Sequence, residues 1–203
     1  MGVKERRLRL KEESRTNILD AALSIAKARG WQAVSMRKIA DMIKHTPPVI
    51  YDYFLNKEAI LMDLARMGFA QLSGNIHRAQ LEHDLPEKQL ESMWTAYWDY
   101  AFAEKELYQL MFGINTQGCC DNSNMPEVEA LAALFGNVIR QVLPTEQQSD
   151  EHVSVIYYFM WSAVHGLISI NVVYKHNRDD FNQQVLLNAV RNVTAFLLIN
   201  PYE

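Results

Sequence analysis

Cysteine is nearly absent from this chain, and the two that occur are adjacent, Cys119 and Cys120. Neighbouring thiols cannot staple distant segments, so no disulfide framework is expected and a reducing compartment is favoured. Two sulfurs in a polar loop without a nearby His also make a weak metal site. Glycine and proline are sparse, 8 and 6 in 203 residues, too few for the many tight turns of a β-sandwich or barrel. The opening MGVKERRLRLKEESR has no apolar run of the kind a secretory signal needs. Arg6 also stands where a myristoylation pattern places a small hydroxyl. No Ser-His-Asp arrangement or glycine-rich phosphate loop is evident, so neither an enzyme nor a cofactor or metal ion is expected. Only one stretch, Val153 to Tyr174, is free of Asp, Glu, Lys and Arg over a membrane-spanning length. Ser154, Ser162, His165, Ser169 and Asn171 interrupt it, and a mid-depth His is costly in lipid. The expectation is a buried helix in a soluble, cytoplasmic protein with no membrane partner.

What the chain does have is a lopsided charge. The formal net charge is -4, yet residues 1–66 carry 13 Lys/Arg against 8 Asp/Glu, and the remaining 137 carry 7 against 16. A basic third on an acidic body suggests that one end meets a polyanion.

Apolar spacing is helical almost throughout, which predicts an all-α fold of about nine helices. Ile18, Ala21, Ala22, Ile25 and Ala26 form one stripe, closed by Gly30. Ser35 caps a short helix with Met36, Ile39, Ala40 and Ile43 on one face. Thr46-Pro47-Pro48 opens a third, a hydroxyl cap followed by prolines where amides are free anyway. Asn56 caps a long fourth helix through Leu61, Leu64 and Phe69 towards Arg78. Leu90, Met93, Trp94, Tyr97, Trp98 and Ala101 mark a fifth; Leu107, Leu110, Met111 and Ile114 a sixth. Residues 115–126 read as a loop. Val128 to Val138, Val153 to Ile168 and Leu186 to Leu197 supply three more, the last stopping at Asn200-Pro201.

Three short helices within about fifty residues, the second and third nearly abutting, describe a helix-turn-helix. Its reading turn is His45-Thr46-Pro47-Pro48-Val49, with Tyr51 and Tyr53 one turn later. Tyrosine hydroxyls there can reach phosphate oxygens, and Val49 suits a thymine methyl. Lys57 sits where a cation is disfavoured by the helix dipole, which argues for an anionic partner. The N-terminal Lys4, Arg6, Arg7, Arg9 and Lys11 suit either a basic strap on DNA or a frayed, solvated terminus.

At ILDAA, RGW, SMRKIA and above all IYDYFLNKEAIL, from about Arg15 to Leu64, the sequence resembles the TetR/AcrR family of bacterial transcriptional repressors. The resemblance implies a homodimer with an N-terminal DNA-binding domain, residues 12–72, and a larger ligand-binding and dimerisation domain, residues 80–203. It places Ser35, Thr46, Tyr51, Tyr53 and Lys57 on phosphates, and Pro47, Pro48 and Val49 towards bases, with Lys44 and His45 in the intervening turn. The family's turn carries a glycine where Lys44 stands, so Lys44 must take an uncomfortable backbone angle or the turn is reshaped.

Of 21 aromatic residues, 14 lie between Trp94 and Phe181. Most such stripes are core. Even so, Trp94, Tyr97, Trp98, Tyr108, Met111, Phe112, Phe159 and Trp161 suggest an apolar pocket with polar tips for a small flat effector. MWSAVHGLISI resembles a TetR subclass with a Trp-x-x-x-His-Gly pattern, and His165 is either a pocket group or a buried, hydrogen-bonded His. Ser162, His165, Gly166 and Ser169 make a small-sided stripe that permits close helix approach. With Val193 and Leu197 of the ninth helix, Ser162, Gly166 and Ser169 form the candidate dimer interface, a four-helix bundle. The leading function is a repressor on a palindromic operator, released by a small apolar or aromatic effector. The rival is a helical small-molecule binding protein or enzyme that keeps the head without using it.

Overall fold

The computed structural model of the protein describes residues 2–113, 125–174 and 179–199. The vicinal cysteines, most of the predicted 115–126 loop and the Asn200-Pro201 stop lie outside the described residues. Nine α-helices and no strand occur among those described. They are α1 (Val3–Arg29), α2 (Met36–Met42), α3 (Pro47–Tyr51), α4 (Lys57–Gln80), α5 (Pro86–Ala103), α6 (Lys105–Phe112), α7 (Pro126–Val142), α8 (Asp150–Tyr174) and α9 (Asp179–Ile199). They fall into two compact units. One holds the chain up to Gly68 together with α6; the other runs from Phe69 to Glu104 and resumes before α7.

In the first unit, Ile18, Ala22, Ile25 and Ala26 of α1 are buried with Ile39 and Ala40 of α2, Ile50 of α3 and Phe54. Burying an aliphatic side chain of this size contributes about 1.5–3 kcal/mol, and these contacts set the angle between the short helices. Gly30 ends α1 at φ +78°, and its N–H reaches the Ala26 carbonyl at 2.7 Å. The next residues form a 3₁₀ turn, Trp31–Ala33. Trp31 is buried there, and its indole N–H donates to the Glu106 carbonyl at 3.0 Å, tying α6 to the head. Asn56 caps α4 as its sequence position suggests, its side-chain oxygen accepting from the Ala59 N–H at 2.9 Å.

Two features differ from the sequence expectation. Helix α1 does not begin near Ile18, the first residue of its apolar stripe, but about four turns earlier at Val3, held by the Glu5 carboxylate on the Gly2 N–H (2.8 Å) and an Arg9–Glu13 pair (2.8 Å). The N-terminal cations therefore stand on a continuous helix. Pro126 also leaves the predicted loop and starts α7, at the position where a missing N–H costs nothing.

In the second unit α5, α7, α8 and α9 pack against one another. Gly136 allows α7 to approach α8 closely: a Cβ there would already sit 3.4 Å from a Val153 methyl. Asn171 of α8 and Asn182 of α9 are both buried and exchange two amide hydrogen bonds, 2.7 and 3.2 Å. Each amide satisfies the other in an apolar seam, which fixes the register of the two helices. Asn171→Ala strands the Asn182 amide and is expected to lower unfolding free energy by about 1–3 kcal/mol. Asn171→Leu with Asn182→Leu should recover much of that; urea unfolding of both variants measures it.

Candidate nucleic-acid interface and aromatic cluster

The turn between α2 and α3 is four residues long, Ile43 to Thr46. The His45 N–H bonds the Ala40 carbonyl at 2.9 Å and the Lys44 N–H bonds the Asp41 carbonyl at 3.3 Å. This is a Schellman closure, which requires a left-handed residue at Lys44's position. Lys44 takes it, at φ +58°, alone among the described non-glycine residues. Of the two sequence alternatives, the strained angle is therefore the one adopted, at a cost of roughly 1–2 kcal/mol.

At the start of α3 both helical positions that a cap would serve are modified. Pro47 and Pro48 have no N–H, and the Val49 N–H bonds the Thr46 backbone carbonyl at 3.0 Å. The Thr46 hydroxyl accordingly caps nothing, contrary to the sequence expectation. It is left at an exposed position, able to meet an external acceptor. Lys44, His45, Thr46, Pro48 and Tyr51 are exposed, while Pro47, Val49 and Tyr53 are half-buried. Together they make a raised edge behind which Ile50 and Phe54 are buried.

Ser35 and Lys57 are placed differently. The Ser35 hydroxyl accepts from the Lys38 N–H at 3.3 Å and so caps α2. The Lys57 ammonium is half-buried and donates to the Trp31 carbonyl at 3.3 Å within the head. Both therefore hold internal hydrogen bonds.

The sequence reading overlooked the part played by α1. Ser14, Asn17, Asp20 and Ser24 line a groove of about 460 Å³ with His45, Val49 and Tyr53. Their spacing on one side of α1 was a legible signal. Arg15 braces the far end of the reading helix: it donates to the Tyr53 carbonyl at 3.2 Å, pairs with Asp63, and lies 4.3 Å over the Phe54 ring.

The aromatic residues assigned to one pocket are distributed over several places. Trp94 and Tyr97 are fully buried in the second unit, Trp94 stacking on Phe135 at 4.0 Å and facing Tyr157 at 6.3 Å. The Trp161 indole N–H donates to the Tyr97 hydroxyl at 2.9 Å, and Trp161 stacks on His165 at 5.0 Å. Trp98 instead meets Phe102 at 4.6 Å with the rings tilted. Phe159 is 63% exposed. Tyr108, Met111 and Phe112 of α6 belong to the first compact unit. Trp94, Tyr97, Trp161 and His165 thus form the continuous cluster. The Trp94 indole N–H, fully buried, has no hydrogen-bond partner among the described residues. The surroundings resist charge: burial raises the Tyr157 hydroxyl well above its ordinary value and lowers His165 below its own.

The predicted interface residues share a face of α8. Ser162 is exposed and Gly166 and Ser169 half-buried. Val155, Phe159 and Ile170 stand exposed along the same stripe. Val193 of α9 lines a groove of about 720 Å³ with His152, Val155, Ile156, Phe159, Asn192 and Phe196; the Leu197 side chain lies outside the described residues. The stretch Asp150–Val172 of α8 is long and apolar enough to cross a membrane by length and composition, and a third of its most apolar part is buried. The expected stripe of α8 is buried at Val153, Ile156, Tyr157, Met160, Val164 and Ile168, while Val155, Phe159 and Ile170 on its other side stay exposed.

Two family models match this architecture. The model described as bacterial regulatory proteins, tetR family, covers residues 18–64, and that described as tetracyclin repressor-like, C-terminal domain, covers residues 90–191, half of the chain. The chain belongs to the TetR family. Its helix-turn-helix is α2 and α3, and the family is one of regulators rather than enzymes. Among known relatives, the HTH-type transcriptional repressor KstR of Mycolicibacterium smegmatis is 33% identical over 81 residues, 40% of each chain. The HTH-type transcriptional repressor NicS of Pseudomonas putida is 25% identical over 138 residues, 67% of this chain and 64% of that one. The matched segments thus span between two fifths and two thirds of those relatives' length. A solved structure from Rhodococcus sp. RHA1, of a protein with unknown function, shares the fold with a TM-score of 0.74 at 21% identity, covering 91% of this chain and 95% of that one.

Burial lowers the proton affinity of His165, so the unfolded chain binds that proton first. The stability contributed by neutral His165 is complete above its ordinary value of 6.5 and is lost as pH falls through the depressed value in the fold. Thermal unfolding between pH 7.5 and 5.5 should show a falling midpoint whose slope flattens in His165→Asn.

Proposed function

We propose that this TetR-family protein is a cytoplasmic, DNA-binding transcriptional repressor that holds a palindromic operator as a homodimer and leaves it when a small, flat, largely apolar effector binds. The observation that carries the reading is the raised edge of α2 and α3. A strained Lys44 closes the turn, the Thr46 hydroxyl is left exposed, and a half-buried Val49 and an exposed Tyr51 stand two residues apart on a braced helix. Such an edge suits a major groove, with Thr46, Tyr51, Tyr53, Lys44 and His45 on the backbone and Pro47, Pro48 and Val49 towards bases. Two prolines remove donors, so base reading leans on shape and on apolar contact with thymine methyls.

The uncovered α8 stripe supports the dimer. Val155, Phe159, Ser162, Gly166, Ser169 and Ile170 recur at three- and four-residue spacing. A second copy laying the same stripe against it, with α9 alongside, forms a four-helix interface. The Trp94 cluster supports the effector. A buried indole N–H without a partner costs about 1–3 kcal/mol, which a ligand acceptor would offset. The Trp161–His165–Gly166 pattern, read as the mark of a subclass, borders the same cluster. Coupling of ~1–3 kcal/mol between effector and operator is enough to relieve repression.

Anisotropy titration against the region upstream of its own gene tests the reading. Affinity should fall steeply with salt and depend on an inverted repeat; affinity indifferent to both would sink it. Tyr51→Ala should weaken all duplexes about 5–10-fold, as a lost phosphate contact does. Val49→Ala should instead change the preference between operators differing at A·T pairs. Phe159→Glu with Phe196→Glu, both exposed in the single chain, should convert dimer to monomer in sedimentation at micromolar concentration while helicity by circular dichroism is kept.

A further inference from the structure

The stripe of α1 that is core at Ile18, Ala22 and Ile25 changes character when followed towards the N-terminus. At the same three- and four-residue spacing it becomes Lys11, Arg7 and Lys4, all exposed. None of the three makes an ion pair among the described residues. The three acidic residues of this segment are on other sides of the helix: Glu5 meets the Gly2 N–H and Glu13 pairs with Arg9, while Glu12 stands exposed. Like charges at this spacing destabilise a helix, and three solvent-facing turns contribute little stability of their own. Even so, the helix runs unbroken through them. An anion along that stripe removes the repulsion.

We propose that Lys4, Arg7 and Lys11 form a rigid phosphate-binding rail that lengthens the head's footprint on duplex DNA. The inference rests on the DNA-binding reading above and goes beyond it. Three observations bear on it. The row spans about 10 Å along the helix axis, which is the axial rise of one DNA strand over three phosphate-to-phosphate steps. Its inner end lies next to the turn of α1 whose Arg15 holds the Tyr53 carbonyl, and Ser14 begins the groove shared with His45, Val49 and Tyr53. The rail is therefore anchored to the reading helix rather than tethered by flexible chain. Rail contacts carry no sequence information, so they add affinity to every duplex alike.

Full-length protein with Lys4→Ala, Arg7→Ala and Lys11→Ala, all exposed, should keep its helicity and melting temperature. Its log-affinity against log-salt slope should shrink by about one per cation in each head, with operator and unrelated duplex weakened by the same factor. Leu10→Pro, which breaks the helix but keeps every cation, should lose the same share of the slope. If Leu10→Pro retains the full slope, the segment is a flexible strap and the rail is wrong. An unchanged slope in the triple variant also overturns the rail, while wild-type operator binding leaves the repressor reading standing; absent wild-type binding overturns both. Loss confined to anionic vesicles, with DNA affinity intact, assigns the row to a membrane surface and refutes the proposal.

Discussion

Two backbone hydrogen bonds close the turn between α2 and α3, and they exist only because Lys44 occupies a left-handed conformation that L-residues avoid. The His45 N–H and the Lys44 N–H both reach back into the last turn of α2, which fixes where the chain leaves that helix. Pro47 and Pro48 then fix where it enters the next, since their φ angles are preset for a first helical turn. A stiff exit and a stiff entrance leave the orientation of α3 little freedom. Arg15 closes the arrangement from the other end through the Tyr53 carbonyl. The exposed Thr46 hydroxyl and the positions of Val49 and Tyr51 all follow from this one constraint. A comfortable glycine would leave the turn softer.

Polar groups divide by unit in a way that fits two jobs. In the head, the hydrogen-bonding side chains that face inward have partners: Ser35 caps, Lys57 holds Trp31, and Arg15 pairs with Asp63. Those left outward include the exposed cations Lys4, Arg7, Lys11 and Lys44 and the Thr46 hydroxyl, beside exposed carboxylates such as Asp20 and Asp41. In the second unit the inward surface is aromatic, and the Trp94 indole N–H is among the buried polar atoms there without a hydrogen-bond partner among the described residues. The Asn171–Asn182 pair shows that the same interior satisfies its amides where register matters.

Helices, caps and most of the core were legible in the chain because each depends on neighbours three or four residues away. Gly30, Ser35 and Asn56 end or begin helices where their side-chain chemistry requires. The family signature from ILDAA to KEAIL likewise depends on local order. The Thr46 hydroxyl was misread because a cap needs a free amide to serve, and whether the Val49 amide is free depends on the backbone path. Tyr108, Met111 and Phe112, grouped with Trp94 by aromatic spacing, belong to the other compact unit. Aromatic spacing along a helix says that a face is buried, not which unit buries it, and the Trp31 indole draws α6 to the head.

The amino-acid order alone determined an all-helical chain, a basic head, a reading helix opened by two prolines and a non-glycine at the turn, since each is a property of short segments. Tertiary structure decided which of those side chains are already engaged. It turned Lys57 inward to a carbonyl 26 residues away and left the apolar stripe of α8 uncovered. It also set the N-terminal cations on a continuous helix whose inner end lies at the reading helix. Those outcomes depend on groups distant in sequence meeting in space, and no local pattern carries that information.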